Sequence, residues 1–362
     1  MTIKQNNLLQ GQRLRARGAM DNQTGRFEPW TRTAYDDGWE IEETDRLVKT
    51  EVRTEVPRSA LSYNRSPDLP FDRSVNPYRG CEHGCVYCFA RPSHAFLNLS
   101  PGLDFETRLI ARPGIGAVLD AELRAKSYRV ATVALGTNTD PYQPCETEYG
   151  VMREILQVLN AHQHPTAITT KGTLIERDLD ILVPMAAAGL LRVGISVTTL
   201  QRDLSRKMEP RAATPARRLE TIRRLTAAGI PVRAMLAPVV PGLTDHEIEP
   251  LLEAVAEAGA QAASFIALRL PLEVSPLFQE WLAAHYPDRA AKVMGRVREM
   301  HGGRDYDAEF GKRMRGQGVW ADLMARRFGV AVARLGLKTQ MPPLRCDLFC
   351  PPLAKGRQLA LF

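Results

Sequence analysis

Between about residues 70 and 270, short apolar runs alternate with helical segments, and this alternation limits the folds open to the chain. The runs are Val130–Leu135, Ala167–Thr170, Arg192–Val197, Val232–Leu236 and Ala263–Leu268. Their length and continuous apolar character read as strands buried on both faces. Between them, Met152, Ile155, Leu156 and Leu159 follow helical spacing. Thr214-Pro215 reads as an N-cap followed by a first-turn proline, and Gly229 with Pro231 as the stop. Thr244-Asp245-His246-Glu247 reads as a capping box ahead of Ile248, Leu251, Leu252 and Val255, with Gly259 as the stop. Strand and helix alternating at roughly 30-residue intervals predict βα units and a parallel sheet. A weaker strand near Ser74–Tyr78 makes six. Six units form a partial barrel or a doubly wound sheet, and both place their chemistry at the carboxyl ends of the strands.

The flanks are different. Residues 1–69 are polar and aperiodic, and read as an irregular extension. Residues 271–340 read as further helices around Leu277, Trp281, Val293, Trp320, Met324 and Phe328, and 341–362 as an extended, proline-rich tail. At 362 residues, 44% hydrophobic and 25% charged, the composition excludes a disordered, collagenous or disulfide-scaffold protein. The net charge of +7 permits a polyanionic partner without demanding one. The first thirty residues hold no apolar signal core, and the apolar run Leu182–Leu191 is about half a membrane span. The expectation is a cytoplasmic protein with no membrane association. In that reducing compartment the six cysteines read as metal ligands or catalytic thiols.

The most informative segment is Asn76-Pro77-Tyr78-Arg79-Gly80-Cys81-Glu82-His83-Gly84-Cys85-Val86-Tyr87-Cys88. Cys81, Cys85 and Cys88 stand as C-x3-C-x2-C, a spacing that lets three thiolates wrap one iron–sulfur cluster. A [4Fe–4S] cluster takes four ligands, so three cysteines leave one iron open. A zinc site with His83 or His94 as fourth ligand is the other reading, although zinc sites of this kind use two separated ligand pairs. Gly80 and Gly84 suit a close backbone approach to a cluster.

This triplet, with an aromatic before its last cysteine and a strand before it, resembles the radical S-adenosylmethionine (SAM) enzymes over roughly residues 70–270. The resemblance implies an α/β fold, a partial (β/α)6 TIM-like barrel. It also implies a [4Fe–4S] cluster whose open iron binds SAM, an external electron donor, and reductive cleavage of SAM to a 5′-deoxyadenosyl radical. Gly136-Thr137-Asn138-Thr139-Asp140-Pro141-Tyr142-Gln143-Pro144, Thr170-Lys171 and Ser196-Val197-Thr198-Thr199 are similar to the branch that contains spore photoproduct lyase. By that resemblance Lys171 and Ser196 contact SAM, and Asn138 and Asp140 contact SAM or substrate. Each also has an ordinary role open to it: a snorkelling lysine, a strand-end hydroxyl, a turn former. Glu146 and Arg269 are weaker candidates.

The branch returns a hydrogen atom through a cysteine at a position where this chain has Thr137. Cys145, in the same loop, is the candidate replacement, or a small buried hydrophobe. Phe89 stands where the branch carries tyrosine. Basic residues cluster between Arg202 and Arg224 and between Arg289 and Arg315, as a phosphate-tracking surface or as solvated helix faces. The chain ends Gln358-Leu359-Ala360-Leu361-Phe362, similar to peptides that bind the bacterial sliding clamp. A tail folded back on its own core is the alternative. The leading expectation is a radical SAM enzyme acting on DNA in a lyase-like repair reaction. The alternatives are the same chemistry on RNA, protein or a metabolite, and a non-enzymatic metal-containing nucleic-acid-binding module.

Overall fold

The computed structural model describes residues 16–28 and 48–353. Six strands run parallel in chain order: β1 (Arg73–Val75), β2 (Val133–Leu135), β3 (Thr166–Thr170), β4 (Leu191–Ser196), β5 (Val232–Val239) and β6 (Ala262–Ala267). Helices α1 (Ile115–Leu123), α2 (Val151–Ala161), α3 (Leu179–Ala187), α4 (Pro215–Ala227) and α5 (Ile248–Glu257) fall in the successive crossovers. This is the expected (β/α)6 arrangement. Its sheet edges are covered. Leu61–Tyr63 adds an antiparallel strand beside β1, inside the segment read as irregular, and Lys338 bonds the backbone of Gln261 and Ala263 beside β6.

The apolar runs become strands because both faces of the sheet are packed: Val133, Ile168, Val193, Ile195, Val232, Ala234 and Leu236 are all buried. On α2, Met152, Ile155, Leu156 and Leu159 make the buried stripe. Thr214 caps α4 by accepting from the Arg217 N–H at 3.4 Å, with Pro215 in the first turn. The capping box before α5 does not form. Thr244 Oγ1 turns back to accept from the Val240 N–H at 2.8 Å, while Glu247 accepts from the Thr199 hydroxyl and the Leu200 N–H. Tertiary partners took both side chains from the local motif.

After β6 come α6 (Val274–His285), α7 (Pro287–Met300) and α8 (Gly318–Arg334). Helix α8 packs on α5 and β6 and so closes the outer layer, with α6 and α7 inserted before it. A second, small sheet joins Glu51–Thr54, Arg108–Ala111 and Tyr78–Arg79, and thereby ties the N-terminal region to the loop after β1. Among the described residues no helix is long and apolar enough to cross a membrane.

Candidate functional site

The cysteine triplet sits on the loop that leaves β1, at the carboxyl end of the sheet. Cys81 and Cys85 are buried and Cys88 is half-buried. Gly80 and Gly84 hold positive φ angles of 76° and 66°. A side chain at Gly84 would stand 2.7 Å from Glu106 Oε2, so the loop can fold this tightly only with glycine there. The fully buried Arg91 guanidinium donates to the carbonyls of Gly84 (3.1 Å), Cys85 (2.9 Å), Pro101 (3.1 Å) and Gly102 (3.0 Å), and pairs with Glu106 at 2.5 Å. Glu106 in turn accepts from the backbone N–H groups of Gly18 and Ala19, at 2.9 and 2.8 Å. The N-terminal segment is therefore part of the loop's scaffold.

Burial pushes the Cys85 thiol up to about 12, with Lys171 pulling in the opposite direction, and burial with the Asp140 charge pushes Cys81 well above its ordinary value. Cationic metal is what would stabilise such buried sulfurs as thiolates. Among the described residues no three His, Cys, Asp or Glu side chains are grouped to hold a single metal ion.

Around the triplet lie the other strand ends. Asp140, in the turn after β2, accepts from the Tyr142 N–H (2.9 Å), the Thr170 hydroxyl (2.5 Å) and the Lys171 N–H (2.7 Å), and meets His83 Nδ1 at 3.4 Å. Burial alone would raise its pKa; His83 and these donors hold it down at about 2. Asp140 thus joins the turn, the end of β3 and the cysteine loop. Lys171 Nζ lies 5.8 Å from the centre of the Tyr87 ring. Burial lowers the affinity of Lys171 for its proton, but the charges of Cys85, Glu209 and Asp140 outweigh it and raise the pKa. Ser196 is buried at the end of β4, and two residues on, Thr198 Oγ1 is buried without a hydrogen-bond partner among the described residues. Asn138 is half-buried in the turn after β2.

Cys145 begins the short helix Glu146–Tyr149 and is buried with the main core. Burial, then Glu82 and Glu146, push its thiol well up. Glu146 is fully buried and accepts from the Tyr78 hydroxyl, the Met152 N–H and Arg177, as a strut beneath the loop.

Two residues at this site escaped the sequence reading. Glu209 and Arg218 are fully buried and paired, and Glu209 also accepts from the Tyr87 hydroxyl. Glu209 was one of three acids, with Asp203 and Glu220, inside a basic stretch, and nothing local singled it out. The stretch itself is largely neutralised. Arg217 and Arg224 pair with Glu176, Arg223 with Glu220, and Arg211 with Glu82. Gln358–Phe362 lie outside the described residues.

A protein-family model described as the Radical SAM superfamily matches residues 75–255, from β1 through most of α5. The chain belongs to the radical SAM superfamily. Uncharacterised proteins of Mycobacterium bovis and Mycobacterium tuberculosis are 41% identical over 249 residues, covering 67% of this chain and 72% of theirs. An uncharacterised protein of Methanocaldococcus jannaschii is 23% identical over 215 residues, covering 59% of this chain and 76% of its own. Among solved structures, spore photoproduct lyase complexed with dinucleoside spore photoproduct superposes with a TM-score of 0.57 at 16% identity, covering 80% of this chain and 82% of that one. A variant of the same lyase with bound AdoMet and dinucleoside spore photoproduct gives 0.54 over the same shares, 80% and 82%. These likenesses show the fold. The superfamily implies a [4Fe–4S] cluster and SAM, and the chain is an enzyme of the radical SAM class. Its donor set fits both groups: three cysteines on a loop stiffened by Arg91, and an orphaned buried hydroxyl at Thr198.

Proposed function

We propose that this radical SAM enzyme acts on DNA, in a lyase-like reaction on a modified or damaged base. The observation that carries this reading is the site itself. The cysteine loop, Asn138, Lys171 and Ser196 occupy four successive strand ends of a barrel that superposes on a lyase solved with dinucleoside spore photoproduct. When bound, the cluster supplies one electron that splits SAM into methionine and a 5′-deoxyadenosyl radical, which takes a hydrogen atom from substrate.

The chain's own residues hold and orient. Cys81, Cys85 and Cys88 would hold the cluster. Lys171, positively charged and half-buried, suits the SAM carboxylate, and the hydroxyls of Ser196 and Thr198 suit its ribose or amino groups. Asn138 faces the same mouth from the turn that Asp140 fixes. Cys145 keeps its S–H at neutral pH, because burial and two neighbouring carboxylates disfavour the thiolate. That is the form able to return a hydrogen atom to a product radical.

A cytoplasmic setting, an external one-electron donor and a sliding-clamp contact through Gln358–Phe362 belong to the same proposal. The test is deuterium transfer. With cluster-loaded enzyme, SAM and a reductant, DNA labelled in its bases should deliver deuterium into 5′-deoxyadenosine. Transfer from labelled RNA or peptide with none from DNA would overturn the reading.

A further inference from the structure

Arg269 follows β6, where the last barrel strand opens into the mouth. Its neighbours Leu268 and Leu270 are buried in the apolar cluster that backs Cys85 and Tyr87, so its own side chain is turned the other way. The guanidinium carbon lies 4.0 Å from the centre of the Phe89 ring, immediately after the ligand-bearing Cys88. No described residue gives Arg269 a hydrogen bond or an ion pair. The acid nearest in charge terms, Asp68, is already engaged: its oxygens accept from Arg313 Nε at 2.6 Å and from the Gly311 N–H at 2.7 Å. Tyr306, Arg313 and the thiol of Cys88 are the other charged or titratable groups that face it.

Arg269 is half-buried, and with no carboxylate partner among the described residues its donors remain available to an anionic ligand at the mouth. Two arginines fully buried at this mouth each have a carboxylate. Arg91 has Glu106 and Arg218 has Glu209. Beside Arg269, the Phe89 ring stays 45% exposed, an apolar face open to the mouth. The same pairing recurs on the rim: Arg313 lies 4.7 Å from the Phe310 ring, which is 54% exposed. Exposed rings alternating with guanidinium groups match a strand whose flat bases stack and whose backbone is anionic. The planar fork suits a phosphate bidentately, which a lysine would not.

We infer that Arg269 binds a phosphodiester oxygen of the substrate strand while Phe89 stacks on the adjoining base. This assignment rests on the nucleic-acid reading above and names the residues that would execute it. The full chain, loaded anaerobically with cluster and SAM, is titrated with a fluorescein-labelled single-stranded oligodeoxynucleotide at several KCl concentrations. Arg269→Gln should weaken binding roughly tenfold and flatten the salt slope by about one. An oligonucleotide carrying neutral methylphosphonate linkages should lose affinity for the wild-type chain and little further for the variant. Arg269→Gln should melt close to the wild-type temperature, because the half-buried guanidinium holds no carboxylate partner among the described residues; a structural arginine would melt clearly lower. An unchanged salt slope, or a lowered melting point with unchanged slope, overturns the assignment while deuterium transfer from DNA leaves the broader reading standing. If the wild-type chain binds no oligonucleotide, and Arg269→Gln instead loses a carboxylate-bearing peptide, both fall together.

Discussion

The two ends of the barrel are built by different means. At the mouth, Arg91, Glu106, Glu146, Asp178, Glu209 and Arg218 are fully buried charges, each held by an ion pair or by side-chain hydrogen bonds. At the opposite end, where the strands begin, the packing is aromatic. Phe349 from the tail lies between Tyr128, His162 and His164, and the Asp120–Arg124 pair is half open to solvent. Buried ion pairs add little net stability compared with well-packed apolar residues, yet breaking one is costly. Concentrating them around one loop trades stability for fixed geometry, and the loop they fix carries Cys81, Cys85 and Cys88.

The sharpest way to break the contrast is to remove a ligand. Cys85→Ala should reduce anaerobic 5′-deoxyadenosine formation to background and cut cluster iron, read by product assay and iron analysis. Next comes a pair of arginine deletions. Arg91→Met strands the buried Glu106 and four loop carbonyls, and should cost roughly 3–5 kcal/mol by urea unfolding. Arg91→Met with Glu106→Gln should recover part of that. Arg124→Met at the far end removes a half-exposed pair with Asp120 and a hydrogen bond to the Pro352 carbonyl, and should lose far less than Arg91→Met.

Acid should weaken both ends, through different histidines. His94 beside the cysteine loop and His164 at the far end are held neutral by burial, each with its pKa lowered from 6.5 to about 4. The unfolded chain therefore binds these protons first as pH falls. Their contribution is complete above about 6.5 and is lost as pH drops from there toward 4. Asp140 works with the same sign at lower pH: its pKa is also depressed in the fold, from 3.8 to about 2, so its stabilisation is complete above the ordinary carboxylate range and is lost as pH falls through that range toward 2. The melting temperature should be lower at pH 5 than at pH 7, and His164→Gln should shrink that difference. Smallest is a matched glycine pair. Gly84→Ala meets both a φ of 66° and Glu106 at 2.7 Å, whereas Gly189→Ala meets a φ of 73° but nothing nearer than 3.4 Å. The first should destabilise by roughly 2–3 kcal/mol and the second by about 1 kcal/mol. Equal losses would remove the idea that the mouth is the tighter end.

The same division explains what could be read from sequence. The strands were legible because a strand buried on both faces announces itself as an apolar run, and Arg192–Val197 lies within one residue of the observed Leu191–Ser196. The cysteine triplet was legible because its chemistry is local, three ligands within eight residues. The buried pairs were not. Arg91 and Glu106 look like ordinary surface residues, and the fragments bringing Gly18 and Ala19 to Glu106 lie 88 and 87 residues away. The Arg202–Arg224 stretch misled for the same reason: Glu176, which neutralises Arg217 and Arg224, comes from the crossover after β3. The Thr244 box failed because its hydroxyl and Glu247 found tertiary partners instead of each other.

The central claim is that three cysteines hold a cluster with one iron open to SAM. Electron paramagnetic resonance of the anaerobically reconstituted, dithionite-reduced chain tests it directly. A spectrum of a reduced [4Fe–4S] centre that shifts on adding SAM, and broadens with SAM labelled by 17O at its carboxylate, is the predicted result. A cluster signal indifferent to SAM, or a chain that retains zinc and no iron, would contradict it.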